Sequence, residues 1–264
     1  MTPPPVEPPP YVPSHDLLAG RSVVVTAAAG TGIGFATAKR CAEEGATVAM
    51  SDRHERRLAE SAEELSALTG GPVVAVPCDV TVEDDVQRLF ATVTDELGAL
   101  DVLVNNAGLG GTSTLLEMSD DAWHKVVDVT LNGTMRCTRA ALRHMQERGR
   151  GGAIVNNASV VGWRAQEGQS HYAAAKAGVM ALTRCAAVEA AAFDVRVNAV
   201  APSLAMHANL AKVTTDDLLL ELTAREAFGR AAEPWEVANV IVFLASDYAS
   251  YLTGEVISVS SQHP

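Results

Sequence analysis

Short apolar runs alternate with helical stretches along the chain from residue 21 onward. The runs have a continuous Val, Ile and Ala character, which is typical of strands that are buried on both faces of a parallel sheet. They predict seven strands, at residues 22–26, 47–52, 73–76, 102–105, 153–158, 196–200 and 256–259. The stretches between them predict helices near residues 33–44, 55–68, 82–97, 120–147, 172–192 and 235–245.

The alternation of strand and helix predicts an α/β fold with a doubly wound, seven-stranded parallel sheet of Rossmann type. The strands account for the chain after its proline-rich start, so we expect a single domain over residues 16–264 and a flexible arm over residues 1–15. Residues 203–229 are too many for a simple loop, and we expect them to form a helical lid over the substrate. Three helix starts are also marked, by capping boxes at residues 81–84 and 214–217 and by Pro234 in a first turn.

Composition and charge exclude several classes of function. The formal net charge of -12 argues against nucleic acid and against anionic membrane surfaces, because both select basic patches. The sequence holds neither an uncharged apolar stretch long enough to span a membrane nor a signal-peptide pattern, so we expect a cytoplasmic protein. The four cysteines lack metal-like spacing, and we expect reduced thiols and no bound metal.

A glycine-rich turn follows the first strand and opens the first helix. In the run Thr26-Ala-Ala-Ala-Gly-Thr-Gly-Ile-Gly34, glycines allow the backbone to approach a pyrophosphate at which helix N–H groups point. A tight turn without a ligand is the alternative. The order strand, turn, helix is the context that a dinucleotide motif requires, so we predict cofactor contacts at Gly30, Gly32, Ile33 and Gly34.

The end of the second strand bears on the choice of cofactor. Asp52 lies 18 residues past Gly34, where a carboxylate accepts hydrogen bonds from the adenosine ribose hydroxyls and repels a 2′-phosphate. Arg53 is adjacent and offers a contact to such a phosphate. We therefore predict NAD as the cofactor, with both residues near the ribose and NADP as the less favoured alternative.

Two further turns follow the third and fourth strands. Asp79, with Val80 beside it, is placed either to meet the adenine edge or to start the next helix. Asn106, Ala107 and Gly108 lie near the expected switch point of the sheet, where ligands bind in doubly wound folds. Asn-Ala-Gly is also good turn chemistry without any ligand. We predict cofactor contacts at all five residues.

Ser159, Tyr172 and Lys176 form the candidate catalytic set. Tyr172 and Lys176 are one helical turn apart, so both side chains leave the same helix face. A free phenol, with a pKa of about 10, is a poor base at neutral pH, and an adjacent ammonium together with an oxidised nicotinamide favours the phenolate. Ser159 ends an apolar run and can hydrogen-bond the same substrate oxygen. For the pair alone, a surface tyrosine near a solvated lysine is the common alternative.

These residues together resemble the classical short-chain dehydrogenase/reductase family over about residues 18–260. The resemblance implies a homotetramer packed through the helices near residues 120–147 and 172–192. It rests on motifs that occur in family order: the glycine turn, Asp79, residues 105–108, Ser159, Tyr172-x-x-x-Lys176 and Asn198-Ala-Val-Ala-Pro202.

The resemblance also implies a role for each matching residue. Tyr172 would be the catalytic acid/base, and Lys176 would lower its pKa while holding the nicotinamide ribose. Ser159 would orient the substrate oxygen, and Pro202 would lie by the nicotinamide.

Two departures from the family pattern concern the site directly. The glycine turn has one residue more than usual, with Ala27 or Ala28 where a glycine is expected. Thr130 stands where the family has an asparagine thought to hold a water of the proton relay, so we keep Thr130 among the candidate catalytic residues. Asn132 is two positions further on and faces elsewhere on a helix.

Other departures concern the substrate pocket. Ser203 and His207 replace a Gly and a Thr after the sixth strand, and the end of the chain lacks the usual Asp-Gly-Gly. Arg164 would meet an anionic substrate or a CoA phosphate, or else form a surface ion pair. The departures are similar to an actinobacterial branch linked to degradation of the steroid C and D rings, which acts on a hydroxy-indane propanoyl-CoA thioester. The residues between Ser159 and Tyr172 that would edge the pocket are Trp163, Arg164, Gln166 and Gln169.

We therefore predict an NAD(H)-dependent oxidoreductase that interconverts a secondary alcohol and a ketone by hydride transfer. Its substrate would be a small molecule with a bulky ring or an acyl-CoA link, from steroid catabolism. A 3-oxoacyl or acetoacetyl-CoA-type reductase and a catalytically weak nucleotide-binding regulator are the alternatives. A nucleotide-sugar epimerase needs a larger substrate region than the 62 residues that follow Pro202.

Overall fold

The computed structural model describes residues 6–206 and 216–262. The strands in these residues are β1 Ser22–Thr26, β2 Thr47–Asp52, β3 Val73–Pro77, β4 Val102–Asn105, β5 Gly152–Asn157, β6 Val195–Pro202 and β7 Val256–Val259. The α-helices are α1 Ile33–Glu43, α2 Glu55–Thr69, α3 Glu83–Leu97, α4 Asp120–Val127, α5 Gly133–Arg148, α6 Ser170–Ala190, α7 Asp216–Ala224 and α8 Pro234–Ala245. Each predicted strand and helix is present with ends within two residues of the prediction, except the helix predicted over residues 120–147, which is interrupted.

The seven described strands form one parallel sheet in the order β3-β2-β1-β4-β5-β6-β7. The chain builds outward in one direction from β1 to β3 and then returns to build in the other direction from β4. The carboxyl ends of β1 and β4 therefore flank the switch point, where doubly wound folds bind their ligands. The predicted fold class is confirmed.

Alternate residues of the central strand β1 enter two different cores. Val23 and Val25 of β1 belong to the core that packs against α1 and α8, while Val24 belongs to the core that packs against α3, α5 and α6. All three side chains are fully buried. Burial on both faces explains why the strands have no alternation of apolar and polar residues.

The helix predicted over residues 120–147 is interrupted. A π-helical segment, Asp128–Asn132, separates α4 from α5. The first residue of α5, Gly133, packs so closely that a Cβ there would lie 2.6 Å from Cγ2 of Val80. Insertions of this kind concentrate at functional sites, and this one carries Thr130.

Helix starts agree with the sequence only in part. The capping box predicted at Thr81 is wrong, because its hydroxyl donates to Asp79 Oδ1 at 2.7 Å and Val82 is the N-cap of α3. Pro234 is the first residue of α8, as predicted. The capping box predicted at residues 214–217 lies partly outside the described residues.

Residues 6–15 have no helix or strand, but residues 11–15 lie against α1. Arg40 donates to the backbone oxygens of Val12 at 2.6 Å and of Pro13 at 3.0 Å. The carboxylate of Glu44 accepts from the backbone N–H of His15 at 2.9 Å. Arg40 and Glu44 are both buried and form an ion pair at 2.5 Å. A buried ion pair thus attaches the described part of the arm to the domain.

Candidate active site

The turn between β1 and α1 brings the backbone close to the first turn of the helix. Ala27 adopts a φ of 49°, a left-handed conformation that is uncommon for a residue with a Cβ. Gly34 has no room for a side chain, since a Cβ there would lie 2.3 Å from the carbonyl oxygen of Ala27. Gly30 has a φ of 94°, and its N–H donates to Ser61 Oγ at 3.0 Å. These contacts fix the conformation of the turn, and α1 begins at its end.

Asp52 lies at the carboxyl end of β2 and is buried. Its Oδ1 accepts from the N–H of His54 at 2.9 Å and from Arg57 Nη2 at 3.3 Å. Arg53 points elsewhere, since its Nε donates to the ring of His54. The cation beside the carboxylate is thus Arg57, which the sequence reasoning missed. Its Cδ also lies 3.9 Å from the position of a Cβ on Gly30.

The carboxylate of Asp79 accepts hydrogen bonds from a residue close to it in the chain. Its Oδ1 accepts from the N–H of Thr81 at 2.9 Å as well as from the Thr81 hydroxyl, and its own N–H donates to Asp85 Oδ2 at 3.0 Å. Val80 is buried against Gly133. These bonds match the helix-start alternative for Asp79, while its contact with an adenine edge stays a prediction.

The turn after β4 is bonded to the end of β1. Thr26 Oγ1 accepts from the N–H groups of Asn106 at 3.0 Å and Ala107 at 3.1 Å. Asn106 Nδ2 donates back to the carbonyl oxygen of Ala27 at 3.0 Å. A Cβ on Gly108 would lie 3.3 Å from Nζ of Lys176. The predicted cofactor residues of these two turns therefore meet at the switch point.

Lys176 and Tyr172 lie together on α6, at the edge where Ser159 follows β5. Nζ of Lys176 lies 5.5 Å from the centre of the Tyr172 ring and donates to the carbonyl oxygen of Asn157 at 2.5 Å. Lys176 is buried, and this burial lowers its pKa to about 8. Oγ of Ser159 accepts from the N–H of Val161 at 3.3 Å.

Burial raises the pKa of Tyr172, and a hydrogen bond with Ser159 acts in the opposite direction. The charges beside Tyr172 predicted a lowered pKa, but desolvation of the phenolate outweighs them in the protein by itself. The phenol is therefore protonated at neutral pH in the protein by itself. A positive group placed against the ring would favour the phenolate.

Thr130 holds the loop that follows the β4 turn. Its Oγ1 donates to the carbonyl oxygen of Leu109 at 3.1 Å and accepts from the N–H of the same residue at 3.0 Å. The side chain is fully buried in the π-helical segment. Asn132 donates to Asp128 Oδ1 at 3.0 Å instead. The hydroxyl of Thr130 is thus already engaged by backbone, which points to a positioning role.

The carboxyl end of β6 leads toward the predicted lid. Pro202 is the last residue of β6, at the same edge of the sheet as the turns described above. Residues 203–206 and 216–229 of the predicted lid are described, and α7 lies among them. His207 lies outside the described residues.

A buried carboxylate joins the segments around this edge. Glu226 accepts from the N–H of Leu204 at 3.3 Å, from Gln262 Nε2 at 2.7 Å and from the Ser261 hydroxyl at 2.7 Å. Arg164 in turn donates to the side-chain oxygen of Gln262. We call these five residues the Glu226 cluster. It ties both described ends of the lid segment to the C-terminal tail and to the loop after β5.

Trp163 and Gln169 were also expected at the pocket edge, but they are not part of the Glu226 cluster. Trp163 is 44% exposed. Gln169 donates to Thr112 Oγ1 at 3.4 Å. His171 is buried, with Nε2 3.3 Å from the position of a Cβ on Gly111, so it packs against the loop after β4.

The residues at this edge fit a nicotinamide dinucleotide. Gly34 supports a close backbone approach at a helix N-terminus, as a pyrophosphate requires. Oδ1 of Asn157, beside Lys176, is buried and has no hydrogen-bond partner among the described residues. Within those residues, groups of three or more metal-binding side chains are absent, as are helices long and apolar enough to cross a membrane.

The chain is similar to known oxidoreductases over nearly its whole length. A family model described as enoyl-(acyl carrier protein) reductase matches residues 27–261. The (5R,7aS)-5-hydroxy-7a-methyl-1-oxo-2,3,5,6,7,7a-hexahydro-1H-indene-carboxyl-CoA reductase of Mycobacterium tuberculosis (strain H37Rv) is 63% identical over 97% of this chain and 98% of the relative. The cis-4-hydroxycyclohexanecarboxylate dehydrogenase of Sinomonas cyclohexanicum is 44% identical over 92% of this chain and 96% of the relative.

Solved structures match over nearly the whole chain. The crystal structure of a short chain dehydrogenase from Mycobacterium smegmatis has a TM-score of 0.88 and 56% sequence identity, and it covers 98% of this chain and 99% of its own. A short-chain type dehydrogenase/reductase from Mycobacterium marinum gives a TM-score of 0.87 at 34% identity, over 93% of this chain and 97% of its own. The chain belongs to the short-chain dehydrogenase/reductase family, whose members are oxidoreductases that use a nicotinamide cofactor.

Proposed function

We propose that the protein interconverts a secondary alcohol and a ketone, with Tyr172 as the acid/base, Lys176 as the cation beside it and Ser159 as the hydrogen-bond partner of the substrate oxygen. The observation that carries this assignment is the buried ammonium of Lys176, 5.5 Å from the Tyr172 ring. The bound cofactor supplies the hydride acceptor in oxidation and the hydride donor in reduction.

In the reductive direction the phenol of Tyr172 donates its proton to the carbonyl oxygen, and its raised pKa keeps that proton available at neutral pH. In the oxidative direction Tyr172 takes the hydroxyl proton, so it first has to lose its own. Lys176 favours this loss, since an ammonium near the ring stabilises the phenolate. Oxidation should therefore accelerate and reduction should slow as the pH rises toward 8, the range in which Lys176 keeps its charge.

NAD is the proposed cofactor rather than NADP. Asp52 would accept hydrogen bonds from the ribose hydroxyls and repel a 2′-phosphate, although Arg57 at 3.3 Å offsets part of its charge. The remaining proposed contacts are Gly30, Gly32, Ile33, Gly34, Arg53, Asp79, Val80, Asn106, Ala107, Gly108, Tyr172, Lys176 and Pro202. Thr130 positions the loop after β4 in this proposal.

A ring-containing acyl-CoA is the proposed substrate. The relative from Mycobacterium tuberculosis is named for a bicyclic hydroxy-oxo-indene with a carboxyl-CoA group, rather than for the propanoyl-CoA that the resemblance implied. A second relative is named for a hydroxylated cyclohexanecarboxylate, which also carries its hydroxyl on a ring. A steroid-catabolic role follows from the same likeness. Relatives named 3-oxoacyl-[acyl-carrier-protein] reductase are 37–38% identical, so that alternative has less support.

We also propose a compartment, an oligomeric state and roles for two chain segments. We expect a cytoplasmic homotetramer, which the family resemblance implies, packed through α4, α5 and the alanine-rich α6. Residues 203–229 would form the lid over the substrate, and residues 1–15 the N-terminal arm.

A substrate and cofactor panel tests the proposal. The purified protein is assayed with NAD⁺ and NADP⁺ against bicyclic hydroxy-ketone CoA esters, the free acids, short 3-hydroxyacyl-CoA and simple secondary alcohols. We expect the highest kcat/KM with NAD⁺ and the bicyclic CoA esters. Activity confined to short 3-hydroxyacyl-CoA would overturn the substrate assignment. Cofactor binding without turnover of any alcohol would favour the regulator alternative.

A further inference from the structure

Asn157 is the last residue of β5, and the sequence predicts no catalytic or cofactor-binding role for it. Its carbonyl oxygen accepts from Nζ of Lys176 at 2.5 Å. Its side-chain Nδ2 donates to Oδ1 of Asn106 at 2.9 Å. One residue therefore connects the ammonium on α6 with the turn after β4.

The connection continues to the glycine turn. Asn106 Nδ2 donates to the carbonyl oxygen of Ala27 at 3.0 Å. That oxygen is the atom that a Cβ on Gly34 would meet at 2.3 Å, so it also limits how α1 begins. Lys176 thus bonds the backbone oxygen of Asn157, and the side chain of the same residue bonds Asn106, which in turn bonds the backbone that a pyrophosphate would approach.

Packing alone does not explain an asparagine at this position. Oδ1 of Asn157 is buried without a hydrogen-bond partner among the described residues. A buried amide oxygen in that state destabilises the fold, a cost that a leucine of similar size would avoid. The neighbouring Asn156 differs, because its amide donates to Thr183 Oγ1 at 2.9 Å and accepts from Asn105 Nδ2 at 2.8 Å.

We propose that Asn157 is a positioning residue that keeps Lys176 in register with the glycine turn. Cofactor affinity and the alignment of the ammonium then depend on the same side-chain amide. The inference rests on the proposed function in one respect, the assignment of Lys176 to the nicotinamide side of the cofactor. Asn157 acts through Lys176 and Asn106 and not on the substrate.

The test is the Asn157→Leu variant, which removes the amide and retains the backbone oxygen that Lys176 contacts. The probe is NADH or NADPH, whichever the parent protein binds more tightly, titrated by fluorescence without substrate. We expect the dissociation constant to rise about tenfold, as the loss of one hydrogen bond predicts. The kcat for alcohol oxidation should fall as well. Asn157→Ser, which is smaller and still polar, should change both in the same direction and covers the case in which the leucine variant does not fold.

Asn156→Leu is the matched control. It removes two buried hydrogen bonds, so we expect a lower thermal midpoint but a dissociation constant within twofold of the parent. In a cycle with Asn106→Ala, adding Asn157→Leu should weaken binding little further, because the series of bonds is already broken.

A dissociation constant within twofold of the parent in Asn157→Leu would overturn the inference, and so would fully additive effects in the cycle. Because binding is measured without substrate, the result does not depend on which alcohol is oxidised. Failure of the proposed function would appear differently. The parent would bind the cofactor and Asn157→Leu would still raise the dissociation constant, but no substrate in the panel would be turned over.

Discussion

Lys176 combines a positive charge with a buried position, and each has a measurable consequence. Burial lowers its pKa to about 8. Relative to the usual value of about 10.4, the shift corresponds to a penalty of about 3 kcal/mol on the folded state while the lysine is protonated. The penalty is complete below pH 8, where folded and unfolded chains are both protonated. It fades toward pH 10.5, because the folded protein loses its proton first.

Replacing Lys176 with methionine should therefore stabilise the protein and inactivate it. At pH 7 we expect a higher thermal midpoint than in the parent, by less than the full penalty because the bond to Asn157 is also lost. The difference should close as the pH rises from 8 to 10.5. Thermal unfolding over this pH range measures it, and a variant less stable than the parent at pH 7 would show that burial of the charge is not costly here.

Some residues of this site could be predicted from the sequence and others could not, for a physical reason. Tyr172, Lys176 and the glycine turn could be predicted because their spacing along one helix or one turn carries the chemistry. Asn157 and Glu226 could not, since a single polar residue has no period. Their partners are remote in the chain, such as Asn106, 51 positions from Asn157. The raised pKa of Tyr172 was missed because burial is not visible in local charge patterns.

At the scale of elements, the strands were predictable and the π-helical segment was not. The apolar runs of the sheet repeat in every strand, so their ends fell within two residues of the prediction. The segment Asp128–Asn132 interrupts a helix whose sequence shows neither Pro nor Gly before residue 133. Tertiary contacts hold this segment, because the hydroxyl of Thr130 bonds both the N–H and the carbonyl oxygen of Leu109.

Thr130→Val should lose both of these bonds while keeping the size of the side chain. We expect a loss of about 1–3 kcal/mol in the free energy of unfolding, because the backbone groups of Leu109 would be left unpaired. The KM for the cofactor should rise, since the loop follows the β4 turn. Thr130→Ser keeps the hydroxyl and should resemble the parent. Equal effects of Val and Ser in denaturant unfolding and in KM would contradict this account.

The Glu226 cluster should control substrate binding and leave cofactor binding unchanged. Glu226→Gln places an amide N–H₂ against groups that already donate, so the tail and the lid segment lose their common acceptor. We expect the substrate KM to rise about tenfold, which corresponds to about 1.4 kcal/mol, with the cofactor dissociation constant unchanged. Glu221→Gln on α7 is the control, because its pair with Arg225 is exposed. An unchanged substrate KM in Glu226→Gln would show that the Glu226 cluster has no role in substrate binding.

At the scale of the whole molecule, the arm and the domain meet through aromatic and backbone contacts as well as through Arg40 and Glu44. Tyr11 packs edge-on against Trp235 of α8 with ring centres 5.3 Å apart, and Val6 donates to the carbonyl oxygen of Phe228 at 2.8 Å. The proline content predicted an extended segment, but it held no signal for these contacts. Proline fixes the local backbone and says nothing about the distant surface on which it lies.

Arg40→Ala should therefore destabilise the whole domain. It leaves the carboxylate of Glu44 buried without its cation, a change that typically costs about 3–5 kcal/mol. Arg56→Ala is the control, because its pair with Glu60 is exposed and should contribute about 1 kcal/mol or less. Chemical denaturation of both variants measures the difference. Similar stabilities would mean that the Arg40–Glu44 pair does not anchor the arm.

The account depends most on the proton transfer by Tyr172. The direct measurement is the single-turnover rate of hydride transfer in the parent and in Tyr172→Phe, with the substrate and cofactor that give the highest kcat/KM in the panel. The account predicts a loss of about 10³-fold in rate, within the range for removal of a general acid/base, and a cofactor dissociation constant that stays within about fivefold of the parent. A variant that transfers hydride within about tenfold of the parent rate would contradict it.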